Sequence, residues 1–384
     1  GAMHDYLSGM MLVRNDGLSI PEVVGRYLGE GMRHFMRIFS VLLLVLVGAV
    51  FLLSPAQLLA NMVPAISCPV WVWLILAYYF VATLLPIDKI IGRIYPLFGV
   101  ALVAMALGLL GAVIVGDYRI PELTTLHNFQ LDPARVPIVP TLFITIACGA
   151  ISGFHATQSP LMARCVGNER ACRSVFYGAM ISESIIALIW AAVAMAFFGG
   201  AGELSAALGE HGGSAAWAVD TISNGMLGVV GGVLALLGVV AAPITSGDTA
   251  FRSARLIIAD MLHLEQRSKL KRFYICIPLF AVGYWITQVD FDVVWRYFAW
   301  TNQTLATIVL WAIVVFLQRR RSNRWVGLLP ALFMTFVCSS FLFVSDQFLG
   351  MENRTAAYAC GVAVTVAVTA GMLLKLKHDA KSNS

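Results

Sequence analysis

A short segment from Ile151 to Pro160 carries many polar side chains directly after a long apolar stretch. Glycine and proline interrupt helices, and backbone groups freed inside a membrane must be satisfied by protein or by water in a cavity. The pattern predicts a discontinuous helix whose gap, around Gly153–Ser159, binds a small substrate. The alternative is that the span ends at Gly153 and an inner loop follows. The predicted substrate-binding residues are Ser152, Gly153, His155, Thr157, Gln158 and Ser159.

A second polar group follows Pro243, and its members are Thr245, Ser246, Asp248 and Thr249. Proline leaves a backbone carbonyl free, and hydroxyl and carboxylate oxygens beside unwound helix suit a coupling ion. We therefore predict an ion-coupling site here, with sodium at Thr245, Ser246 and Thr249 or a proton on Asp248. The alternative is that Asp248 pairs with Arg252, one helical turn later, as a structural bridge.

A lone acid, Glu183, lies inside the otherwise uncharged run 174–202. A carboxylate at membrane depth is either protonated or paired, so Glu183 is a third candidate for ion coupling. A structural hydrogen bond is the alternative. The sequence Thr301-Asn302-Gln303-Thr304 is more typical of helix–helix contacts. His4 and Asp5 lie near the first residue, and the pattern of spans does not place them.

The composition places all these residues in a membrane protein. Of 384 residues, 59% are hydrophobic and 12% are charged, whereas soluble domains have about 25% charged residues. A soluble fold and a disordered chain are both excluded. Long uncharged runs indicate an all-α polytopic membrane protein and not a barrel of alternating strands. The seven cysteines are scattered, without a metal-ligand spacing, and the charge pattern does not indicate nucleic-acid binding.

Ten apolar runs predict about ten transmembrane helices, because a spanning helix needs about 20 apolar residues. They are 38–59, 70–86, 94–116, 136–154, 174–202, 221–247, 273–289, 297–318, 325–345 and 355–374. We predict one transmembrane domain over 1–374, which includes an amphipathic helix at 19–36 on the cytoplasmic side, and a cytoplasmic tail at 375–384. Of the 26 Lys and Arg residues, 22 lie before residue 38, in alternate loops or in the tail. The positive-inside rule then places both ends in the cytoplasm.

Five stretches resemble the carbon starvation protein A (CstA) family, and the resemblance extends over nearly the whole chain. They are residues 1–6, 14–17, 151–162, 175–180 and 247–252. The resemblance implies an inner-membrane secondary transporter of the amino acid–polyamine–organocation superfamily, associated with peptide uptake during carbon starvation and, in some members, with pyruvate import. It also implies a LeuT-like inverted repeat, in which 139–160 is the sixth helix and 226–260 the eighth. Family members carry a further N-terminal segment, so we expect a bundle that lacks its N-terminal helices.

Together these features predict ion-coupled import by alternating access, with small peptides as the first substrate and pyruvate as the second. The coupling ion is a proton or sodium, and no cofactor is expected. A remote alternative is an intramembrane enzyme, because Ser246-Gly247-Asp248 faintly resembles an aspartyl protease motif. Such an enzyme needs two facing acids, and neither a matching motif around Glu183 nor a zinc-protease motif occurs. The sequence therefore favours a transporter over an enzyme.

Overall fold

The structure is a computed structural model that describes residues 1–84, 88–122, 127–265 and 268–382. Residues 85 and 86, predicted to end the second run, and the loop cation Arg267 lie outside the described residues. Within the described ranges, all regular structure is helical. The helices are α1 (Ala2–Val13), α2 (Ile20–Leu28), α3 (Glu30–Met62), α4 (Cys68–Leu84), α5 (Asp88–Val115), α6 (Ile138–Thr145), α7 (Ala147–Ala150), α8 (Gly153–Ala163), α9 (Ala179–Phe198), α10 (Ala201–Glu210), α11 (Ala215–Leu234), α12 (Ala241–Met261), α13 (Lys269–Ile286), α14 (Phe291–Arg319), α15 (Trp325–Val344) and α16 (Arg354–Ser382).

Seven helical stretches are long and apolar enough to cross a membrane, which defines a multi-pass protein. They are Glu30–Met62, Pro96–Val115, Glu169–Phe198, Ala215–Met261, Phe291–Arg319, Trp325–Val344 and Arg354–His378. The other three predicted runs are helical, but none of them combines the length and the apolar composition of these seven stretches. Helix α4 has 17 residues, α13 begins with three cations, and 136–154 is divided among shorter helices. The count of ten spans therefore stays a prediction.

The described residues group into two compact units, each assembled from separate stretches of chain. Unit 1 contains Gly1–Leu43, Ala134–Ser184 and Trp295–Ser384. In it, α1 packs against α8, and α15 packs against α16 and α6. Unit 2 contains Leu44–Pro133 and Ile185–Val294. In it, α5 packs against α11 around buried side chains such as Met105, Leu109 and Ile222. A single transmembrane domain over 1–374 stays a prediction.

The amphipathic helix predicted at 19–36 is divided in two. Helix α2 ends at Leu28, and α3 begins at Glu30, because Gly29 adopts φ 105°, a left-handed conformation that glycine tolerates best. The apolar stripe of α2 is buried within unit 1, where Ile20, Val23 and Val24 are almost fully covered. At the other end of the chain, α16 continues as a helix through Ser382 into the predicted tail.

Candidate functional site

The helix is discontinuous, as predicted, but the break lies earlier than expected. Helix α7 ends at Ala150 and α8 begins at Gly153, with Ser152 extended between them at φ −135° and ψ 122°. The predicted gap around Gly153–Ser159 is wrong in position, because α8 runs unbroken through Pro160. Ser152 explains the early restart, since its Oγ accepts the backbone N–H of His155 at 3.3 Å and caps α8.

Side chains from neighbouring helices bond to backbone groups along the interrupted segment α6–α8. The backbone N–H of Phe154 donates to Asn302 Oδ1 at 2.7 Å. Ser184 Oγ donates to the carbonyl of Gly149 at 2.8 Å, and Gln303 Nε2 donates to the carbonyl of Phe143 at 3.0 Å. The polar residues expected to connect helices thus stabilise the broken helix, as required where no bulk water is available.

Gly153 allows α8 to approach α14 closely. A Cβ atom at this position would lie 2.3 Å from the backbone oxygen of Asn302 and 2.8 Å from the Cβ of Leu305. Neither neighbour is the flexible end of a side chain. Gly153, predicted to bind substrate, is therefore first a packing residue that holds the start of α8 beside Asn302.

A chain of ionisable side chains begins at His155 and links three helices. His155 Nδ1 lies 2.9 Å from Asp5 Oδ2, on α1, and His155 Nε2 lies 3.1 Å from Glu183 Oε2, on α9. His4 Nδ1 lies 2.8 Å from the other oxygen of Asp5. We call His4, Asp5, His155 and Glu183 the ionic network. The structure thus joins His155 and Glu183, which were predicted for different roles, and adds His4 and Asp5, which sequence reasoning did not place.

Burial within the ionic network is uneven. The side chain of Asp5 is 7% exposed, and that of His4 is 1% exposed. The Glu183 side chain is 41% exposed and that of His155 is 24% exposed. An imidazole donates from both nitrogens only when it is protonated. The geometry therefore suits an imidazolium between two carboxylates, one fixed in the interior and one nearer the surface.

The side chains of the remaining predicted substrate residues form hydrogen bonds within α8. Thr157 Oγ1 donates to the carbonyl of Phe154 at 2.6 Å, and Ser159 Oγ donates to the carbonyl of His155 at 2.8 Å. Gln158 Nε2 donates to Thr157 Oγ1 at 3.3 Å. These hydroxyl hydrogens are used inside α8, so His155 is the member of the predicted set whose side chain reaches ionisable partners on other helices.

The second predicted group lies in unit 2, and its helix is not unwound. Helix α12 is continuous from Ala241 to Met261, and it follows directly on a π-helix without a break. The irregular turn is the π-helix Ala235–Val240 immediately before it. The expected unwound segment is therefore wrong, because the local distortion is a π-helix that ends three residues before Pro243.

The side chains of this group are engaged within α12. Thr245 Oγ1 donates to the carbonyl of Ala242 at 2.8 Å, and Thr249 Oγ1 donates to the carbonyl of Thr245 at 2.9 Å. Ser246 is half-buried. Asp248 is 4% exposed, and its Oδ2 lies 2.9 Å from Arg252 Nη2, the pairing considered as the structural alternative. Among the described residues, no three His, Cys, Asp or Glu side chains are grouped so as to hold a metal ion.

The apolar spans and the ionic network are those of a multi-pass helical membrane protein. Comparison with known proteins identifies its family. The family model described as carbon starvation protein CstA matches residues 55–230. A membrane protein of Haemophilus influenzae is 40% identical over 249 residues, covering 52% of this chain and 67% of that protein. The chain belongs to the carbon starvation protein CstA family.

Two relatives carry the names of transporters. The peptide transporter CstA of Escherichia coli is 26% identical over 328 residues, covering 67% of this chain and 47% of that protein. The pyruvate/proton symporter BtsT of E. coli is 37% identical over 120 residues, covering 31% of this chain and 15% of that protein. The matches thus span less than half the length of either named transporter.

The fold is similar to that of a solved membrane transporter. A crystal structure of a mutant manganese transporter from Eremococcus coleocola aligns with a TM-score of 0.50 and 14% identity. The alignment covers 100% of this chain and 87% of that one. At this identity the likeness concerns the fold alone.

Proposed function

We propose that this protein is a secondary active transporter that imports small peptides across the inner membrane by alternating access, coupled to protons. The observation that carries the proposal is the position of His155 between Asp5 and Glu183, beside a helix break, in a chain whose named relatives are transporters. Ionisable groups at membrane depth are costly and mark ion or proton pathways. Histidine is also the side chain that most readily exchanges a proton near neutral pH.

The uneven burial of the two carboxylates supports a specific coupling step. Asp5 stays paired with His155 in the interior, whereas the more exposed Glu183 leaves His155 Nε2. A substrate carboxylate takes its place on the imidazolium. Glu183 then binds a proton, because it has lost its cationic partner and lies beside two other carboxylates, and a nearby like charge disfavours the ionised form. One proton therefore enters with one carboxylate, which couples the two without a metal ion.

The substrate carboxylate also faces the start of α8 in this proposal. The N–H groups of Phe154 and His155 already donate to Asn302 Oδ1 and Ser152 Oγ, so the partial positive charge of the helix start acts on the carboxylate through space. We assign Ser152, Gly153 and His155 to the carboxylate end of the substrate, and Thr157, Gln158 and Ser159 to the adjoining wall. Peptides and pyruvate both carry a carboxylate. The CstA relative, matched over more of this chain, favours peptides, and the symporter relative makes pyruvate the second candidate.

A sodium-coupled mechanism at Thr245, Ser246, Asp248 and Thr249 is the alternative. It loses support because α12 continues without unwinding and the hydroxyls of Thr245 and Thr249 donate within the helix. The LeuT-like inverted repeat and a cytoplasmic C-terminus stay part of the proposal, supported by the helix break and by the distribution of cations. Neither a metal cluster nor a catalytic motif argues for an enzyme within the described residues.

Uptake into proteoliposomes tests the proposal. The purified chain is reconstituted, and uptake of a labelled dipeptide and of labelled pyruvate is followed with a proton gradient or a sodium gradient imposed alone. We expect concentrative dipeptide uptake with the proton gradient, and none with sodium at equal pH. Concentrative uptake driven by sodium would move the coupling site to unit 2. If only pyruvate is taken up, pyruvate replaces the dipeptide as the substrate, and the proposed proton-coupling mechanism is unchanged.

A further inference from the structure

Unit 1 contains an apolar cavity of about 260 Å³ that the proposed transport site does not use. Its wall consists of one face of α14, one face of α15, part of α16 and the junction of α2 and α3. Six of its thirteen lining residues are Leu28, Met32, Trp311, Leu342, Val368 and Met372. An apolar cavity of roughly 150 Å³ stays dry and binds benzene. The larger cavity here holds several methylene groups.

Polar residues in the wall bond to other protein groups, with the exception of Thr304, whose buried Oγ1 has no hydrogen-bond partner among the described residues. Thr335 Oγ1 donates to the carbonyl of Ala331 at 2.6 Å and accepts from Trp311 Nε1 at 3.0 Å. Ser339 Oγ donates to the carbonyl of Gly361 at 3.0 Å. These hydrogen bonds use these polar atoms and leave methyl and methylene groups toward the cavity. The lining therefore suits a hydrocarbon occupant better than water.

The cavity reaches the apolar outer surface along α16. The lining residue Val368 is 38% exposed, and its neighbours on the helix include Val366, 62% exposed, and Leu374, 67% exposed. In a multi-pass membrane protein, hydrocarbon chains of lipid surround such a surface. An acyl chain can therefore enter the cavity without crossing a polar barrier.

Cations surround one end of the cavity. Met372, in the wall, precedes Lys375 by less than one helical turn, which is about 4.5 Å along the axis. The C-terminal end of α14 lies beside this part of α16, because Gln318 Nε2 donates to the carbonyl of Leu376 at 2.7 Å. Residues 316–327 and 372–378 contain no acid; the adjoining acids are Asp379 and Glu30, and Glu30 pairs with Arg33. Their cations are Arg319, Arg320, Arg321, Arg324, Lys375 and Lys377.

We propose that this cavity binds one acyl chain of an anionic phospholipid, whose phosphate group lies against the cations at the ends of α14 and α16. Charge complementarity selects the phospholipid, because basic pockets at the ends of membrane helices bind anionic head groups. The phosphate group makes the first contact, with the cations, and the acyl chain makes the second, with the apolar cavity. The lipid connects α14, α15 and α16 at the end opposite their extracytoplasmic loops. This proposal does not depend on which substrate is transported.

Native mass spectrometry of the delipidated full chain, titrated with phosphatidylglycerol or phosphatidylcholine of identical acyl chains, tests the proposal. We expect one phosphatidylglycerol to bind at least about tenfold more tightly than phosphatidylcholine. Val368→Trp fills the cavity and should remove this preference. Val366→Trp, a matched change two residues away on α16, should keep it. Lys375→Ser should weaken phosphatidylglycerol binding and leave phosphatidylcholine binding unchanged.

Fluorescence gives a readout that does not require a folded variant. Trp300 and Trp311 both line the cavity, so phosphatidylglycerol with brominated acyl chains should quench tryptophan emission of the unmodified chain at a lower mole fraction than brominated phosphatidylcholine does. Equal quenching by both lipids, or equal binding of phosphatidylglycerol to Val368→Trp and Val366→Trp, would overturn the proposal.

Discussion

His155 and Asp5 are 150 positions apart in the sequence, yet His155 Nδ1 lies 2.9 Å from Asp5 Oδ2. The contact joins α8, just after the helix break, to α1, and α1 packs more extensively on α8 than on α2. Because the Asp5 side chain is 7% exposed, this pair fixes the charge of the imidazole in the interior. The more exposed Glu183 is left as the partner that can exchange.

Replacing Glu183 with glutamine should separate substrate binding from proton coupling. The glutamine side chain resembles the protonated acid, so the variant should bind and exchange labelled dipeptide but not accumulate it against a gradient. Counterflow and gradient-driven uptake in proteoliposomes measure the two properties. Glu203→Gln, at an exposed position on α10, is the matched control and should behave as the unmodified chain. Concentrative uptake by Glu183→Gln would contradict the role given to this carboxylate.

Replacing Asp5 with asparagine should destabilise the protein as well as stop transport. Removing one partner of a buried ion pair leaves the other charge uncompensated, at a cost of about 3–5 kcal/mol. The apparent Tm in detergent should fall markedly, and less so when His155→Gln is present in the same chain, because the two residues are coupled. Additive losses in the double variant would show that Asp5 and His155 act independently.

Gly153→Ala should impair both packing and transport. The added methyl group would lie 2.3 Å from the backbone oxygen of Asn302, so α8 and α14 must separate. We expect a lower apparent Tm and slower dipeptide uptake. Gly371→Ala, on α16, is the control because no atom lies within 4 Å of the added group. Equal stability and uptake in the two variants would mean that α8 does not require close contact with α14.

The sequence predicted the helical class and a break in this helix, because long uncharged runs and clustered Gly, Ser and Pro are local signals, but it placed the gap too late, at Gly153–Ser159. It did not predict where the helix resumes, which depends on Ser152 as a cap and on Asn302 from a distant helix. Nor did it place His4 and Asp5. Their short helix is not an apolar run, and the partner of Asp5 on α8 comes 150 positions later.

The sequence also did not predict the local backbone geometry at the start of α12. Proline followed by hydroxyl residues predicts an unwound ion site, yet the helix continues through Pro243. The distortion is the π-helix Ala235–Val240, which ends three residues before Pro243. The pairing of Asp248 with Arg252 followed from their spacing of four residues.

Asp248→Asn therefore distinguishes the two candidate coupling sites. If the Asp248–Arg252 pair is structural, the variant should lose stability by about 1–3 kcal/mol and still accumulate dipeptide in response to a proton gradient. Thermal unfolding and driven uptake measure both properties. Unchanged stability together with lost proton dependence would instead place the coupling on Asp248.

The ratio of protons to substrate shows whether Glu183 carries the coupling proton. Proton entry, followed with a pH-sensitive dye inside the proteoliposomes, is measured together with uptake of labelled dipeptide by the unmodified chain and by Glu183→Gln. We expect one proton per dipeptide carboxylate in the unmodified chain, and dipeptide exchange without proton entry in Glu183→Gln. An unchanged proton flux in Glu183→Gln, or dipeptide accumulation without proton entry in the unmodified chain, would contradict this expectation.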